Sequence, residues 1–250
     1  MPAQPLAVRL SAVPDPARRP RPAVSHGRTL VAVALAGVTA ALAGLVAGVL
    51  ARHGLPYAVD VAGHRWALAH RGGVLTDAAI VVTTTGSGPI AYLTAAAAGA
   101  FAAGRERRLL GAAAAATALA LGQLVRLGLA TWVGRPRPPV ADWAWHAGGA
   151  ALPSGHATTS ALVAALVCTA VVRRCHGMAR TTAIVAALTW AAAVGLTRVY
   201  LGVHWPTDVV AGWLLAVALS LTAVLVAAPL LGRARVRPAG TRVRRRASRA

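Results

Sequence analysis

The sequence predicts an all-α polytopic membrane protein, six transmembrane helices in a bundle, and three observations predict it. Hydrophobic residues make up 57% of the 250-residue chain and charged residues only 13%, with a mean hydropathy of +0.60. That balance lies outside the range of soluble domains. The apolar residues come in runs close to the ~20 residues that a bilayer demands of a helix. Between the runs stand short stretches rich in Arg, Gly and Pro.

Taken in order, residues 1–28 are rich in Pro, Arg and Ala without apolar periodicity and read as a disordered basic cytoplasmic tail. The first span covers Thr29–Ala51. It exceeds the ~7–15-residue core of a signal peptide and so reads as an uncleaved helix. In residues 52–86, Asp60, His64, Arg65, Trp66, His70, Arg71 and Asp77 punctuate short apolar pieces, the pattern of an amphipathic segment along the membrane surface. Gly86-Ser87-Gly88-Pro89 breaks the chain, and Pro89 suits the first turn of a second span reaching about Gly104. A basic turn, Gly104–Arg108, leads to a third span over 109–133. A polar stretch, 134–154, carries Trp143 and Trp145. The fourth span starts at Pro153-Ser154-Gly155-His156 and ends near Arg173-Arg174. The fifth covers 181–196 and the sixth 208–231, leaving a basic tail at 232–250. The membrane domain is therefore 29–231.

Six spans put both termini on one side. All 26 basic residues are Arg, and nineteen of them lie in 1–28, 105–108, 173–180 and 233–249. The positive-inside rule makes that side cytoplasmic, which describes a multi-pass protein of the cell membrane with its polar stretches extracytoplasmic. A formal charge of +20 could suit nucleic acid, but the arginines cluster at the ends of apolar runs. No groove of interleaved basic and aromatic residues is visible, so no nucleic-acid partner is expected. Cys168 and Cys175 stand two helical turns apart, about 10 Å, which is too far for a disulfide. The Ala- and Gly-rich helices suit close packing in lipid. Arg135 reads as an exposed interfacial charge, and His64, His70 and His146 as solvated loop histidines. Trp132, Trp143, Trp145, Trp205 and Trp213 fit an aromatic belt, Trp205 being placed also to shape a pocket.

The chemistry sits in three polar stretches: Gly134–Pro139, Pro153–His156 and Arg198–Asp208. Ionisable groups at a membrane edge are expensive and point to function. Arg137 and Arg198 fall at the outer ends of the third and fifth helices, and guanidinium groups suit bidentate phosphate binding. Ser154 and Gly155 open the fourth helix, where free backbone N–H groups form an anion site. His156 and His204 supply a nucleophile and a general acid. Asp208, four residues beyond His204, can hold one ring nitrogen so that the other faces the substrate. No cluster of carboxylates suggests a metal.

Arg137-Pro138, then Pro153-Ser154-Gly155-His156, then Arg198, His204 and Asp208 resemble the three-part signature of the type 2 phosphatidic acid phosphatase family. These are lipid phosphate phosphatases related to vanadium haloperoxidases. The resemblance implies a phosphatase without metal or other cofactor, working through a phosphohistidine. His204 would be the nucleophile, Asp208 its activator and His156 the proton donor, with Arg137, Ser154, Gly155 and Arg198 holding phosphate. The first motif of the family begins with a Lys where this chain has Ala130; Arg126, one turn earlier, is placed to supply the charge or else to snorkel or bind a helix carbonyl. The third motif begins with Thr197 in place of the usual Ser. The implied partners are membrane lipids and a lipid phosphate substrate: a polyprenyl diphosphate such as undecaprenyl diphosphate, phosphatidylglycerol phosphate or phosphatidic acid. Ala130 leaves a non-catalytic lipid-phosphate-binding protein as the alternative, and a vanadate-dependent haloperoxidase is a further one. The oligomeric state stays open.

Overall fold

A computed structural model describes residues 26–235. Every regular element among them is helical: α1 (His26–Ala51), α2 (Ala58–Ala69), α3 (Gly73–Thr85), α4 (Gly88–Ala103), α5 (Arg108–Val133), α6 (Gly155–Arg174), α7 (Gly177–Tyr200) and α8 (Pro206–Arg235). Five of these, α1, α5, α6, α7 and α8, are long and apolar enough to cross a membrane. The second expected span, α4, has 16 residues, short of the ~20 of a perpendicular crossing. It is nonetheless packed inside the bundle, against α5 and α6.

Helix α6 is the central member. It touches α4, α5, α7 and α8, and half of its most apolar window is buried, against 11% for α1. Leu119, Leu162 and Val163 pack with Ala91, Ala95 and Ala216 to form one core cluster; Leu42, Val46 and Val49 of α1 meet Ala211 and Leu215 of α8 in another. Where α4 crosses α5, Gly99 and Gly111 face each other, and a Cβ on either would strike the other's backbone carbonyl. Van der Waals contact between closely spaced backbones replaces the hydrophobic drive that lipid does not supply. Outward, large apolar side chains such as Leu93, Leu109, Leu124 and Val185 are exposed, as a lipid-facing surface requires.

Several expectations change. The segment 52–86 is two helices packed on α7 and α8, with some of its polar side chains turned inward and Arg65, His70 and Asp77 left exposed. Asp60, His64 and Thr83 are buried, while Val59, Trp66, Val74, Leu75 and Val81 are exposed. An amphipathic helix on a membrane surface would show its polar face to water; here that face finds partners in Arg135, Asp142 and Arg198. Helix α7 also runs four residues further at each end than 181–196, so Arg198 lies in its last turn. Helix α1 begins at His26, inside the expected tail, and α8 runs on to Arg235. The readings on residues 1–25 and 236–250 lie outside the described residues.

Helices α5 and α6 run antiparallel, and Arg174 donates to the carbonyl of Ala102 across the α4–α5 turn. Arg105, Arg107, Arg108, Arg173 and Arg174 thus gather at one end of the bundle. The three polar stretches lie at the other.

Gly99→Leu is expected to force α4 and α5 apart at a cost of about 1–3 kcal/mol. The thermal unfolding midpoint of detergent-solubilised protein should fall, while Gly44→Leu, which meets nothing within 4 Å, should leave it unchanged.

Candidate active site

At the end away from the arginine-rich turns, four elements converge. They are the loop after α5, the N-terminus of α6, the last turn of α7 and the turn into α8. Between them and the α3–α4 corner lies a cavity of about 520 Å³. Arg126, Arg137, Gly155, His156, Arg198 and His204 all line it. Ser154 and Asp208, both fully buried, lie outside that lining. The structure therefore brings six of the eight residues singled out in the sequence to one cavity surface.

The third stretch reaches this place through a tight turn. Gly202 has φ +76°, and a Cβ there would collide with the carbonyl oxygen of Asp142; only glycine tolerates both conditions. The turn delivers His204 to the cavity floor, 1% exposed. Arg137 Nη1 donates to His204 Nε2 at 2.8 Å. Because a guanidinium has no acceptor, Nε2 carries the lone pair and the ring proton sits on Nδ1, where it faces Asp208 Oδ2 at 3.4 Å. Burial, then the nearby charges of Arg137, Arg198 and Arg126, push the His204 pKa well below its ordinary value, opposed by a backbone bond at Ala151. The ring is thus neutral at physiological pH, with a nucleophilic nitrogen toward the cavity.

The three arginines are held differently. Arg137 has all five N–H donors engaged: with the carbonyls of Gly148, Gly149, Ala150 and Val203, and with His204. Burial lowers its pKa, with Arg126 adding to the effect and Asp208 opposing it; a guanidinium starts too high to lose its charge. Arg198 donates from Nη1 to Thr83 Oγ1 at 3.0 Å, and its buried Nε has no partner among the described residues. Arg126 donates from Nε to the carbonyl of Pro153 at 3.0 Å and keeps its two terminal nitrogens for the cavity. A Cβ on Gly155 would stand 3.2 Å from the Arg126 Cζ, so glycine leaves room for that guanidinium over the start of α6. The buried hydroxyl of Ser154 has no partner among the described residues. Among the described residues no acidic side chain lines the cavity. Three cations, a helix N-terminus and unpartnered donors together suit a multiply charged oxyanion of phosphate size. Among the described residues no three His, Cys, Asp or Glu side chains converge as a metal site would need.

Several side chains stand elsewhere than expected. Arg135 is 1% exposed and forms ion pairs with Asp60 at 2.7 Å and Asp208 at 2.6 Å; it is no interfacial charge. His64 is buried, with Nε2 2.8 Å from Asp142 Oδ2 and its ring edge-on to Trp205. His146 is exposed at the cavity rim, packed on Trp145; His70 is exposed. Trp205 is buried and donates to the Pro136 carbonyl, whereas Trp132, 66% exposed, stays free for a belt. Ser87 and Thr83 were not foreseen. Ser87 Oγ lies 2.9 Å from His156 Nε2, and Thr83 holds Arg198. Both sit at the α3–α4 corner, which the Gly-Ser-Gly-Pro run marked only as a break.

Residues 111–230 match the PAP2 superfamily. The chain is 34% identical over 155 residues to decaprenylphosphoryl-5-phosphoribose phosphatase of Mycolicibacterium smegmatis, a match covering 58% of this chain and 75% of that protein. Among solved structures it is similar to a transmembrane PAP2 type phosphatidylglycerolphosphate phosphatase from Bacillus subtilis, with a TM-score of 0.62 and 22% identity over 79% of this chain and 96% of the other. At that identity the likeness speaks for the fold.

The direction of the His204 shift has a kinetic consequence. Protonation of this ring is not expected to limit turnover at about pH 6, so the acid limb of kcat/KM should fall below the ordinary imidazole range of ~6.5. A profile of phosphate release from about pH 4.5 to 8.5 checks this, and a limb centred near 6.5 that belongs to His204 contradicts it.

Proposed function

The chain belongs to the PAP2 superfamily and is a membrane phosphatase, a phosphoric ester hydrolase, and from that premise we propose that it hydrolyses a lipid phosphate or diphosphate through a phosphohistidine on His204, without a metal. The observation that carries the proposal is the meeting of a neutral His204 with three guanidinium groups on one cavity that no carboxylate lines.

The phosphoryl group binds against Arg126, Arg198 and the first N–H groups of α6, with the buried Ser154 hydroxyl behind them. Its charge draws one N–H of Arg137 away from His204 Nε2, which frees the lone pair. Nε2 attacks phosphorus, the bond to the leaving oxygen breaks, and His156, charged by a proton that the monoanionic phosphate brings in, gives that oxygen a proton. The developing negative charge on the equatorial oxygens falls on donors already in place. Asp208 accepts the Nδ1 proton's hydrogen bond and steadies the cationic ring. Water, giving a proton to His156, then attacks phosphorus, the P–N bond breaks, and phosphate leaves with His204 restored.

The substrate has its tail in the bilayer and its phosphate in the cavity. A polyprenyl-linked phosphate is the first candidate, because the relative at 34% identity is named for one; phosphatidylglycerol phosphate and phosphatidic acid follow. The arginine-rich end opposite the cavity favours an extracytoplasmic site with both termini cytoplasmic, in the cell membrane. The catalytic unit is the domain 29–231. Arg126 takes the part of the family's Lys at Ala130. Since its guanidinium already lines the cavity, Ala130 no longer argues for a non-catalytic protein.

Phosphate release from a panel of lipid phosphates, with chelator present, tests the proposal. His204→Ala should abolish release; turnover that survives that substitution refutes the mechanism. Arg126→Ala should lower kcat/KM by roughly tenfold to hundredfold, the worth of hydrogen bonds to a charged group. Adding Ala130→Lys to that variant should recover part of the loss. No effect of Arg126→Ala would remove this residue from the site.

A further inference from the structure

Asp208 is held less by His204 than by the residues behind it. Its contact with His204 Nδ1 is 3.4 Å, the longest of its side chain. The backbone N–H of Trp205 donates to Oδ2 at 2.8 Å, and Arg135 Nη1 donates to Oδ1 at 2.6 Å. Arg135 is in turn forked between two carboxylates. Its Nη2 donates to Asp60 Oδ2 at 2.7 Å, and Nη1 also meets Thr207 Oγ1 at 2.7 Å. Asp60 is fully engaged: it accepts from the backbone N–H of Tyr57 and of Thr207 and from the Thr207 hydroxyl. The side chains of Asp60, Arg135 and Asp208 are all 0% exposed.

Stability alone accounts poorly for this arrangement. Buried ion pairs return little net stability compared with apolar residues of the same volume, and here two carboxylates share one cation. What a planar guanidinium does well is fix the plane of a carboxylate. Asp60 fixes Arg135, Arg135 fixes Asp208, and Asp208 faces the ring of His204. Asp60 stands on α2, outside the matched stretch 111–230.

We propose that Asp60 is a positioning residue of the reaction centre, acting through Arg135 on the Asp208 carboxylate and hence on the aim of His204 Nε2. The proposal rests on the reading above, in which Asp208 orients a nucleophilic His204.

A double-mutant cycle on phosphate release tests it, using the lipid phosphate released fastest in the panel. Asp60→Asn should lower kcat by about 10²-fold, the scale of a misaimed nucleophile, with KM unchanged within roughly a factor of two. Asp208→Asn should lower kcat at least as much. In the Asp208→Asn background, Asp60→Asn should add no more than about twofold, because its route of action is already cut. Wild-type kcat in Asp60→Asn overturns the proposal, as do losses that multiply in the double variant. Where Asp60→Asn does not give monodisperse protein, Arg135→Lys keeps the cation, removes the fork and enters the same cycle with the same expectation. Loss of folded protein in both variants assigns the network to folding and overturns the proposal too. Failure of the underlying reading looks different: wild-type kcat in Asp208→Asn, or no release by the wild type, removes the proposal along with its premise.

Discussion

A buried charge inside an apolar bundle must be paired, and the pairing of Arg135 with Asp60 and Asp208 sets much of the structure around it. An unpaired carboxylate or guanidinium there would cost several kcal/mol after relaxation. The chain therefore cannot place Asp208 behind His204 without bringing a cation to it. Nor can it bring Arg135 there without Asp60, which draws α2 against the starts of α8 and of the loop after α5. The neighbouring contacts follow the same line. His64 of α2 meets Asp142 and the Trp205 ring, and Arg71 donates to the carbonyls of Asp142 and Tyr200. Asp60, His64 and Arg71 of 52–86 are thus used to hold the loops.

Behind His204 the side chains of Asp60, Arg135 and Asp208 are fully engaged; in front of it donors stay free among the described residues. Arg126 has spare donors, Arg198 has an unpartnered buried Nε, and the Ser154 hydroxyl is alone. This division is the physical sense of the site. The matched side fixes geometry, and the unmatched side keeps positive potential for an anion at little reorganisation. Arg137 belongs to both. Four of its five donors tie down the loop carbonyls of 148–150 and 203, and the fifth rests on His204 Nε2.

The bundle serves the site by its stiffness. Helix α6 begins in the cavity and runs through the middle of the molecule, so its N-terminus is anchored along its length. Its backbone N–H at Ser154 donates to the carbonyl of Asp208, joining the second and third motifs. Gly212 brings α8 close enough that a Cβ would sit 2.9 Å from the Ser154 carbonyl oxygen. Small residues here set the spacing between the start of α6 and the His204–Asp208 pair.

What the sequence determined by itself was whatever depends on near neighbours along the chain. Apolar runs of the right length gave the long helices. Ser154-Gly155 at a helix start and His204 four residues before Asp208 carried their chemistry in their spacing. The tertiary structure alone decided the faces. Hydropathy cannot tell whether Asp60 and His64 turn toward water or toward protein. Arg135 looked like a boundary charge because its partners lie 73 and 75 residues away. Ser87 looked like a turn residue because His156 is 69 residues off. Even Arg126, visible as a candidate, needed the carbonyl of Pro153 and the bare Cα of Gly155 to show its direction. Burial of a polar group becomes tolerable only when a distant partner arrives, and it is packing of the whole chain, not any local pattern, that brings the partner.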